Sequence, residues 1–293
     1  MNQESRIKDK AKLDSSLRWN DKQGGTLFVV ATPIGNLGDI TLRALETLKC
    51  VDLIACEDTR NTGKLLAHFE IKKPLVSYFQ HSKLSKIEYI IEELLSGKNI
   101  ALVTDAGTPG ISDPGEQIVH QIREISNFQF LISNQTSNDQ ISNYLENSGL
   151  EIKTLIENLK LKIENSPPIK VIPIPGASAL TAAASVSGMI EKEFYFAGFL
   201  PKKKGRQTKF KALCEISAPI VVYESANRLE RTLADIRTYF GEDCQVFIAR
   251  EITKMFEECW GGNVDELIST LGEHQLKGEI VLIVNKVHKV IKL

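Results

Sequence analysis

Two acidic residues and an arginine stand together in the segment Cys56-Glu57-Asp58-Thr59-Arg60. The segment ends a short apolar run, Asp52–Cys56, that predicts a β-strand. In an open parallel sheet, ligands bind at the carboxyl ends of the strands. A carboxylate at that edge can act as a general base, and an arginine can bind an anion. The alternative is a surface salt-bridge cluster that caps the next helix, with Asp58 or Thr59 as its N-cap.

Three glycine-bearing turns also follow predicted strands. They are TPIGNLGDIT from Thr32, DAGTPGISDPG from Asp105 and PIPGASALT from Pro173. Glycine lets a backbone approach a bound ligand closely, so the three turns together predict a small-molecule site lined mostly by backbone groups. The first turn lacks the G-x-G start of the dinucleotide fingerprint, and no Gly-Lys-Ser/Thr follows it. Nicotinamide and P-loop sites are therefore disfavoured.

The elements that must position these turns alternate strand and helix, which is typical of an α/β fold. The predicted strands are Thr26–Ala31, Asp52–Cys56, Leu75–Tyr78, Ile100–Thr104, Val171–Pro173, Phe194–Phe199, Ile220–Tyr223, Gln245–Ala249 and Glu279–Val284. The predicted helices include Leu84–Ser96, Gly115–Ile125, Asn227–Phe240 and a segment around Val264–Leu271.

The pattern divides the chain into a charged extension over 1–23, a first α/β domain over 24–192 and a second over 193–293. Between about 126 and 168 the first domain carries an Asn- and Ser-rich insertion. We expect most of this insertion to be a surface loop, although Leu155, Leu159 and Ile163 stand at helical spacing.

Composition narrows the class of protein. The 293 residues are 42% hydrophobic and 25% charged with a net charge of −1, as in a globular protein rather than a disordered one. A net charge close to zero disfavours a protein that binds nucleic acid over its whole surface. The segment from Pro201 to Lys211 nevertheless holds six cations and no acid, and such a run is either a solvated loop or a phosphate-binding patch.

Targeting and metal signals are weak in this sequence. The N-terminal 23 residues have no apolar core of the length a signal peptide requires, and no apolar run approaches the roughly 20 residues that span a bilayer. The five cysteines and five histidines are scattered along the chain. We therefore expect a cytoplasmic protein without a metal site.

The turns, in this order, resemble the tetrapyrrole methylase superfamily, whose members bind S-adenosylmethionine between two α/β domains. The matching segments are ATPIGNLGDIT, CEDTR, VTDAGTPGISDPG, PIPGASALTAA and FYFAGFLPKKKGR, and the resemblance covers about Gly25 to Val287. The set is similar to the branch that methylates the ribose 2′-hydroxyl of a cytidine in 16S ribosomal RNA of the small ribosomal subunit.

This resemblance implies a mainly parallel five-stranded sheet in the first domain, a mixed sheet in the second, and a cofactor cleft between them. It also implies S-adenosylmethionine as the cofactor, which needs no metal, 16S rRNA as the partner, and a homodimer. The cofactor residues that it transfers to this chain are Ile34, Ala106, Gly107, Thr108, Ile111, Ser178, Ala179, Glu224 and Gly262.

Methylation of a ribose hydroxyl also needs a base and contacts to RNA. We expect Asp58 or Glu57 to accept the hydroxyl proton, with Arg60 binding a phosphate or orienting the acid. The expected RNA-binding residues are Lys202, Lys203, Lys204, Arg206 and His81. His81 can equally be an ordinary turn histidine.

Two other functions stay open on the sequence. One is a methyltransferase of the same fold that acts on a tetrapyrrole or a protein side chain. The other is a non-catalytic ribosome-assembly factor that keeps the cofactor pocket. The CEDTR segment and the lysine-rich segment favour the RNA methyltransferase, because both match the RNA-methylating branch.

Overall fold

The computed structural model describes residues 24–78, 84–113, 115–134, 136–274 and 276–286. His81 and the N-terminal extension lie outside the described residues.

A five-stranded parallel sheet has the strand order β3-β2-β4-β1-β5. Its strands are β1 (Thr26–Val30), β2 (Leu53–Cys56), β3 (Leu75–Ser77), β4 (Ile100–Val103) and β5 (Lys170–Ile174). Strands β2 and β4 are buried along their whole length, as their continuous apolar runs predict. All five predicted strands are confirmed to within one residue.

A second, mixed sheet has the order β6-β7-β10-β8-β9. Its strands are β6 (Tyr195–Phe199), β7 (Ile220–Ser225), β8 (Gln245–Arg250), β9 (Glu258–Asn263) and β10 (Glu279–Asn285). The β6–β7 pair is parallel, and the other pairs are antiparallel. Strand β9 has no counterpart in the sequence-based prediction, because ECWGGN contains two glycines and no apolar alternation.

Helices connect most of these strands. They are α1 (Leu42–Cys50), α2 (Thr59–His68), α3 (Leu84–Leu95), α4 (Glu116–Ser133), α5 (Asn138–Asn147), α6 (Leu150–Asn165), α7 (Ala179–Ser187), α8 (Arg206–Cys214), α9 (Leu229–Phe240) and α10 (Val264–Thr270). Thr41 caps α1 by accepting a hydrogen bond from the Ala44 amide at 3.1 Å. Asp58 caps α2 in the same way, so both helices begin where a polar turn residue satisfies a free amide.

The described residues fall into two compact units. The first holds 24–27, 84–100 and 118–172 except 135, and the second holds the rest. The border passes through β1, β4 and β5 along the sequence. It differs from the predicted domain boundary near residue 192, which stays a prediction.

The first unit contains the Asn/Ser-rich insertion, which is helical. Helix α6 buries an apolar stripe of Ile152, Leu155, Ile156, Leu159 and Ile163. The Gln129 amide donates to the carbonyls of Ile163 and Ser166, both at 3.0 Å, and so ties α4 to the end of α6. The expectation of a mostly irregular loop was wrong, because polar residues on the outer helix faces dominate the composition.

The second unit has an apolar cluster on each face of the mixed sheet. Alternate residues of β7 serve the two clusters, with Val222 packed near Leu229 and Leu233 and Val221 packed near Ala183 of α7. In the part of the chain that the structure describes, no helix is long and apolar enough to cross a membrane.

Candidate active site

The three glycine-bearing turns lie together in the second unit. The amide of Thr32 donates to the Gly107 carbonyl at 2.9 Å, and the Gly107 amide returns a bond to Thr32 at 3.1 Å. The Thr108 hydroxyl donates to the Ala177 carbonyl at 3.2 Å, and a Cβ at Gly176 would stand 3.0 Å from the Ala31 side chain. The predicted gathering of these turns at one sheet edge is confirmed.

A cavity of about 270 Å³ borders these turns, near the lower end of the roughly 300–1,000 Å³ typical of small-molecule sites. It is lined by Ile34, Glu57, Asp105, Ala106, Gly107, Thr108, Ile111, Asp113, Ser178, Ala179, Phe199, Tyr223, Glu224, Ala249, Glu251, Ile252, Lys254, Glu279, Ile280 and Val281. All of these residues belong to the second unit. Eight of the nine residues expected to hold a cofactor are among them, and their binding role stays a prediction.

Gly107 shapes the floor of the cavity. Its φ of +82° is a left-handed conformation that glycine adopts without strain. A Cβ at this position would stand 3.5 Å from Ile34 Cγ2, and Gly107 and Ile34 both line the cavity. Ile34 and Ile111 supply apolar surface to the cavity, so it combines a bare backbone floor with apolar walls.

The polar part of the cavity is strongly acidic. Burial raises the pKa of Asp113 to about 7, helped by the negative charges of Glu57, Asp105 and Glu279. Burial also raises the pKa of Glu57, while a hydrogen bond from the Asp105 backbone opposes that shift. Asp113 is therefore a carboxylate whose protonation changes near neutral pH.

Lys254 is the single cation among the described residues that line the cavity. Its ammonium contacts Glu251 at 2.8 Å and Glu279 at 2.9 Å. Burial raises the pKa of Glu251, but hydrogen bonds from Lys254 and the Glu279 amide outweigh burial and leave that pKa lowered. One ammonium offsets only one of these two charges, and no cation faces Glu57 or Asp105 in the described lining, so the cavity keeps a net negative field.

Asp58 and Arg60 do not line the cavity. Their side chains pair at 2.6 Å, and Asp58 also accepts the Arg60 amide at 2.8 Å as the cap of α2. The hydrogen bonds from Arg60 lower the pKa of Asp58 to about 2, which makes it a very weak base. For these two residues the structure matches the alternative reading of the sequence, a helix-capping salt bridge, rather than the catalytic one.

Two of the residues that the resemblance assigns to the cofactor, Gly262 and Glu224, have surroundings that differ from this expectation. Gly262 lies on β9 opposite Val246, at the far edge of the mixed sheet from β6, and does not line the cavity. The Glu224 side chain is fully buried and is occupied by Arg228 at 3.1 Å and Thr232 at 2.8 Å. Its carboxylate therefore serves the protein interior, although the residue borders the cavity.

The lysine-rich segment begins at the end of β6. Lys202, Lys203 and Lys204 are exposed, as an RNA-binding loop requires. Arg206 is only 3% exposed and donates to Asp235 at 2.7 Å and to the Thr232 hydroxyl at 2.9 Å. This placement contradicts the expectation that Arg206 binds a phosphate, because its guanidinium is already engaged inside the protein.

Several residues of the cavity are absent from the sequence-based set, chiefly Asp113, Phe199 and Tyr223. Asp113 stands in the second glycine-bearing turn, so its position in a turn that builds the site was a usable signal. Phe199 ends β6 and Tyr223 lies within β7, and both resemble ordinary core residues in sequence. Neither their pattern nor their spacing distinguishes them.

Comparison with known proteins places the chain in a family. The model of the tetrapyrrole (corrin/porphyrin) methylases matches residues 26–132 and 154–268. Proteins named ribosomal RNA small subunit methyltransferase I are similar to this chain. The one from Synechocystis is 41% identical over 89% of this chain and 78% of its own length, and that of Bacillus subtilis is 40% identical over 89% and 75%.

Solved structures agree on the fold. The methyltransferase CobJ has a TM-score of 0.55 at 14% identity and covers 90% of this chain and 95% of its own. Uroporphyrin III C-methyltransferase from Thermus thermophilus has a TM-score of 0.51 at 12% identity, with 90% and 98% covered. The glycine-bearing turns, the two sheets and these similarities together show that the chain belongs to the tetrapyrrole (corrin/porphyrin) methylase family.

Proposed function

We propose that this protein uses S-adenosylmethionine to methylate the ribose 2′-hydroxyl of a cytidine in 16S rRNA of the small ribosomal subunit. One observation carries the proposal: the second unit contains both the acidic cavity and an exposed loop of three lysines, Lys202–Lys204, which we call the lysine loop. Lys202 follows the cavity residue Phe199 by three positions. The names of the relatives support an RNA of the small subunit as the acceptor.

The cavity fits the charge of the proposed cofactor. S-adenosylmethionine carries a sulfonium, an ammonium and a carboxylate group, a net charge of +1, and the acidic lining of the cavity, which includes Glu57 and Asp105, attracts a cation. The bare backbone at Gly107 gives room for a ligand that packs against the floor. The residues that would hold the cofactor are Ile34, Ala106, Gly107, Thr108, Ile111, Ser178 and Ala179. When bound, the cofactor supplies an electrophilic methyl group.

The protein contributes alignment and a base to this reaction. A ribose hydroxyl is a weak nucleophile, and general base catalysis contributes about 10²–10⁴-fold to such a step. Asp113 lines the cavity with a pKa of about 7, so its carboxylate can accept the hydroxyl proton at neutral pH. Glu57 lies in the same electrostatic cluster and raises that pKa. We therefore assign to Asp113 the base role that the sequence analysis gave to Asp58 or Glu57, and Glu57 supports it by raising the pKa of Asp113.

The lysine loop supplies the contact to RNA. Lys202, Lys203 and Lys204 are exposed and carry positive charge beside an acidic cavity that would otherwise repel a polyanion. Their attraction acts on phosphates and positions the strand without reading its sequence. We extend the proposal to a cytoplasmic location, where such an enzyme would meet ribosomal subunits, and to a homodimer. Light scattering at several concentrations tests the homodimer.

The alternative functions are weighed against two observations. The acidic cavity would repel the carboxylates of a tetrapyrrole and the phosphates of RNA alike, so the preference for RNA comes from the names of the relatives. A non-catalytic assembly factor would have no use for an ionisable carboxylate tuned near neutrality inside the cofactor cavity. Both observations favour the RNA methyltransferase.

The acceptor can be identified directly. The full chain is incubated with methyl-labelled S-adenosylmethionine and, in parallel, with methyl-deficient small subunits, large subunits, total ribosomal protein or uroporphyrinogen. The proposal expects label in the RNA of small subunits alone. Label in protein or in the tetrapyrrole supports the first alternative, and binding to small subunits without any transfer supports the second.

A further inference from the structure

Phe199 is an aromatic residue at the cavity that leaves most of its surface to solvent. It lines the cavity and is 60% exposed. Burial of a phenylalanine side chain stabilises a folded protein, and Phe199 forgoes most of that stabilisation when no ligand is bound. Single exposed apolar residues are common on protein surfaces, but this one also lines the cavity, where a ligand can cover its ring.

A β-bulge directs this ring to the cavity. Phe196 pairs with Val221, but Gly198 pairs with Val222, so Ala197 is an extra residue in the strand. In a regular strand without this bulge, Phe196 and Phe199 would point to opposite faces of the sheet, since they are three positions apart. With it, both rings contact Tyr223, at centroid distances of 5.0 Å and 5.4 Å.

The glycine in the bulge is required by its surroundings. Gly198 has a φ of +63°, and a Cβ there would stand 2.8 Å from the Ser112 hydroxyl oxygen. Ser112 precedes Asp113, the proposed base. The bulge therefore fixes the ring of Phe199 beside the loop that carries the base.

The backbone that follows Phe199 is held in place by arginines. Arg228 donates to the Leu200 carbonyl at 2.7 Å, and Arg206 donates to the Pro201 carbonyl at 3.1 Å. Arg231 donates to the Lys202 carbonyl at 3.2 Å. Three residues of extended chain span at most about 10–11 Å, so the lysines begin within that distance of Phe199.

We propose that Phe199 is the surface on which the nucleobase of the methylated nucleotide stacks, while the lysine loop binds the neighbouring phosphates. This stacking rests on the function proposed above and adds the way in which the RNA substrate binds. Unpaired bases are recognised by stacking on aromatic side chains, and every base offers a π-face. The occupant is thus an unstacked base of RNA, which brings its ribose to the cavity next to Asp113.

Three variants test this assignment, namely Phe199→Ala, Phe199→Trp and the control Phe256→Ala. Phe256 is 61% exposed and does not line the cavity, so it matches Phe199 in exposure alone. The measurements are the KM for methyl-deficient small subunits, the Kd for S-adenosylmethionine and the thermal midpoint. Loss of one stacked base raises KM by about 5- to 150-fold.

We expect the KM for small subunits to rise by this factor in Phe199→Ala and to return to within threefold of the wild-type value in Phe199→Trp. Phe256→Ala should keep the wild-type KM. The cofactor Kd stays within twofold in all three. In Phe199→Trp, the added indole fluorescence is quenched by small subunits even without turnover, as a stacked base requires.

Either of two results would overturn the proposal. One is an unchanged KM for Phe199→Ala in a folded protein, and the other is a cofactor Kd that rises in parallel, which would mean that the ring packs against the cofactor. If the wild-type chain itself methylates no RNA, the proposed function fails. If the wild type is active and Phe199→Ala is equally active, only the stacking assignment fails.

Discussion

Arg228 joins the buried carboxylate of Glu224 to the backbone of the lysine loop. Its Nε forms an ion pair with Glu224 at 3.1 Å, and its Nη2 donates to the Leu200 carbonyl, at the start of that loop, at 2.7 Å. A fully buried carboxylate is stable only with such partners, so Glu224 is committed to holding Arg228. The interior of the second unit thereby determines where the exposed lysines stand.

Replacing Arg228 should therefore weaken RNA binding by displacing the lysine loop, even though Arg228 itself makes no proposed contact with phosphate. For Arg228→Met, we expect the KM for small subunits to rise roughly tenfold, since a hydrogen bond to a charged group contributes about 1.5 kcal/mol. The control is Arg237→Met on the same helix, whose guanidinium pairs with Asp265 at 2.6 Å instead. Equal KM values for the two variants would show that Arg228 does not position the loop.

Asp113→Asn tests the proposed base. Because the pKa of Asp113 is raised to about 7, the wild-type rate should increase from pH 6 to pH 8 as the carboxylate loses its proton. The asparagine variant should lose this dependence and about 10²–10⁴-fold in kcat. Asp58→Asn is the control, since a group with a pKa of about 2 stays ionised throughout this range. If Asp58→Asn loses the pH profile and Asp113→Asn keeps it, the assignment is reversed.

The same raised pKa has a consequence for stability. Folding raises the pKa of Asp113 above its ordinary value of 3.8, so the native state binds the proton more tightly than the unfolded state does. Stability from this group is therefore fully present below pH 4 and is lost as the pH rises through about 7. Asp113→Asn should be more stable than the wild type at pH 8, which denaturant unfolding at pH 5 and pH 8 measures.

Gly107→Ala tests the cavity floor. The new methyl group enters the space beside Ile34, and the left-handed backbone adds strain of about 1–2 kcal/mol. Gly97→Ala is the matched control, because Gly97 has a φ of +91° and no atom within 4 Å of an added Cβ. Both variants should lose similar stability, but only Gly107→Ala should raise the Kd for S-adenosylmethionine. A wild-type Kd for Gly107→Ala would mean that the cofactor binds elsewhere.

The lysine loop predicts a salt dependence. Replacing Lys202, Lys203 and Lys204 by Ala should lower the slope of log K against log salt by about 2, at roughly 0.7 per phosphate contact on a single strand. The control removes the same charge from Lys153, Lys160 and Lys162 of α6, in the other unit. Equal slopes for the two triple variants would show that only the net charge matters.

The sequence predicts which turns build the site better than it predicts which side chains act as base or bind phosphate. The turns around Gly107 and Gly176 are recognisable because glycine is needed wherever backbones approach closely. The choice between Asp58 and Asp113 depends on burial and on neighbouring charges, which arise only when distant segments fold together. Arg206 is a second example. A cation in a basic run is expected to be exposed, and only the folded structure shows that Arg206 is buried.

The central claim is that the methyl group goes to a ribose oxygen of a cytidine. The most direct measurement is labelling of methyl-deficient small subunits, followed by alkaline hydrolysis of the RNA and nucleoside analysis. Alkaline cleavage needs a free 2′-hydroxyl, so the account predicts that the label stays in an alkali-resistant dinucleotide and is released enzymatically as 2′-O-methylcytidine. Label in an alkali-released mononucleotide with a methylated base, or in protein, would contradict it.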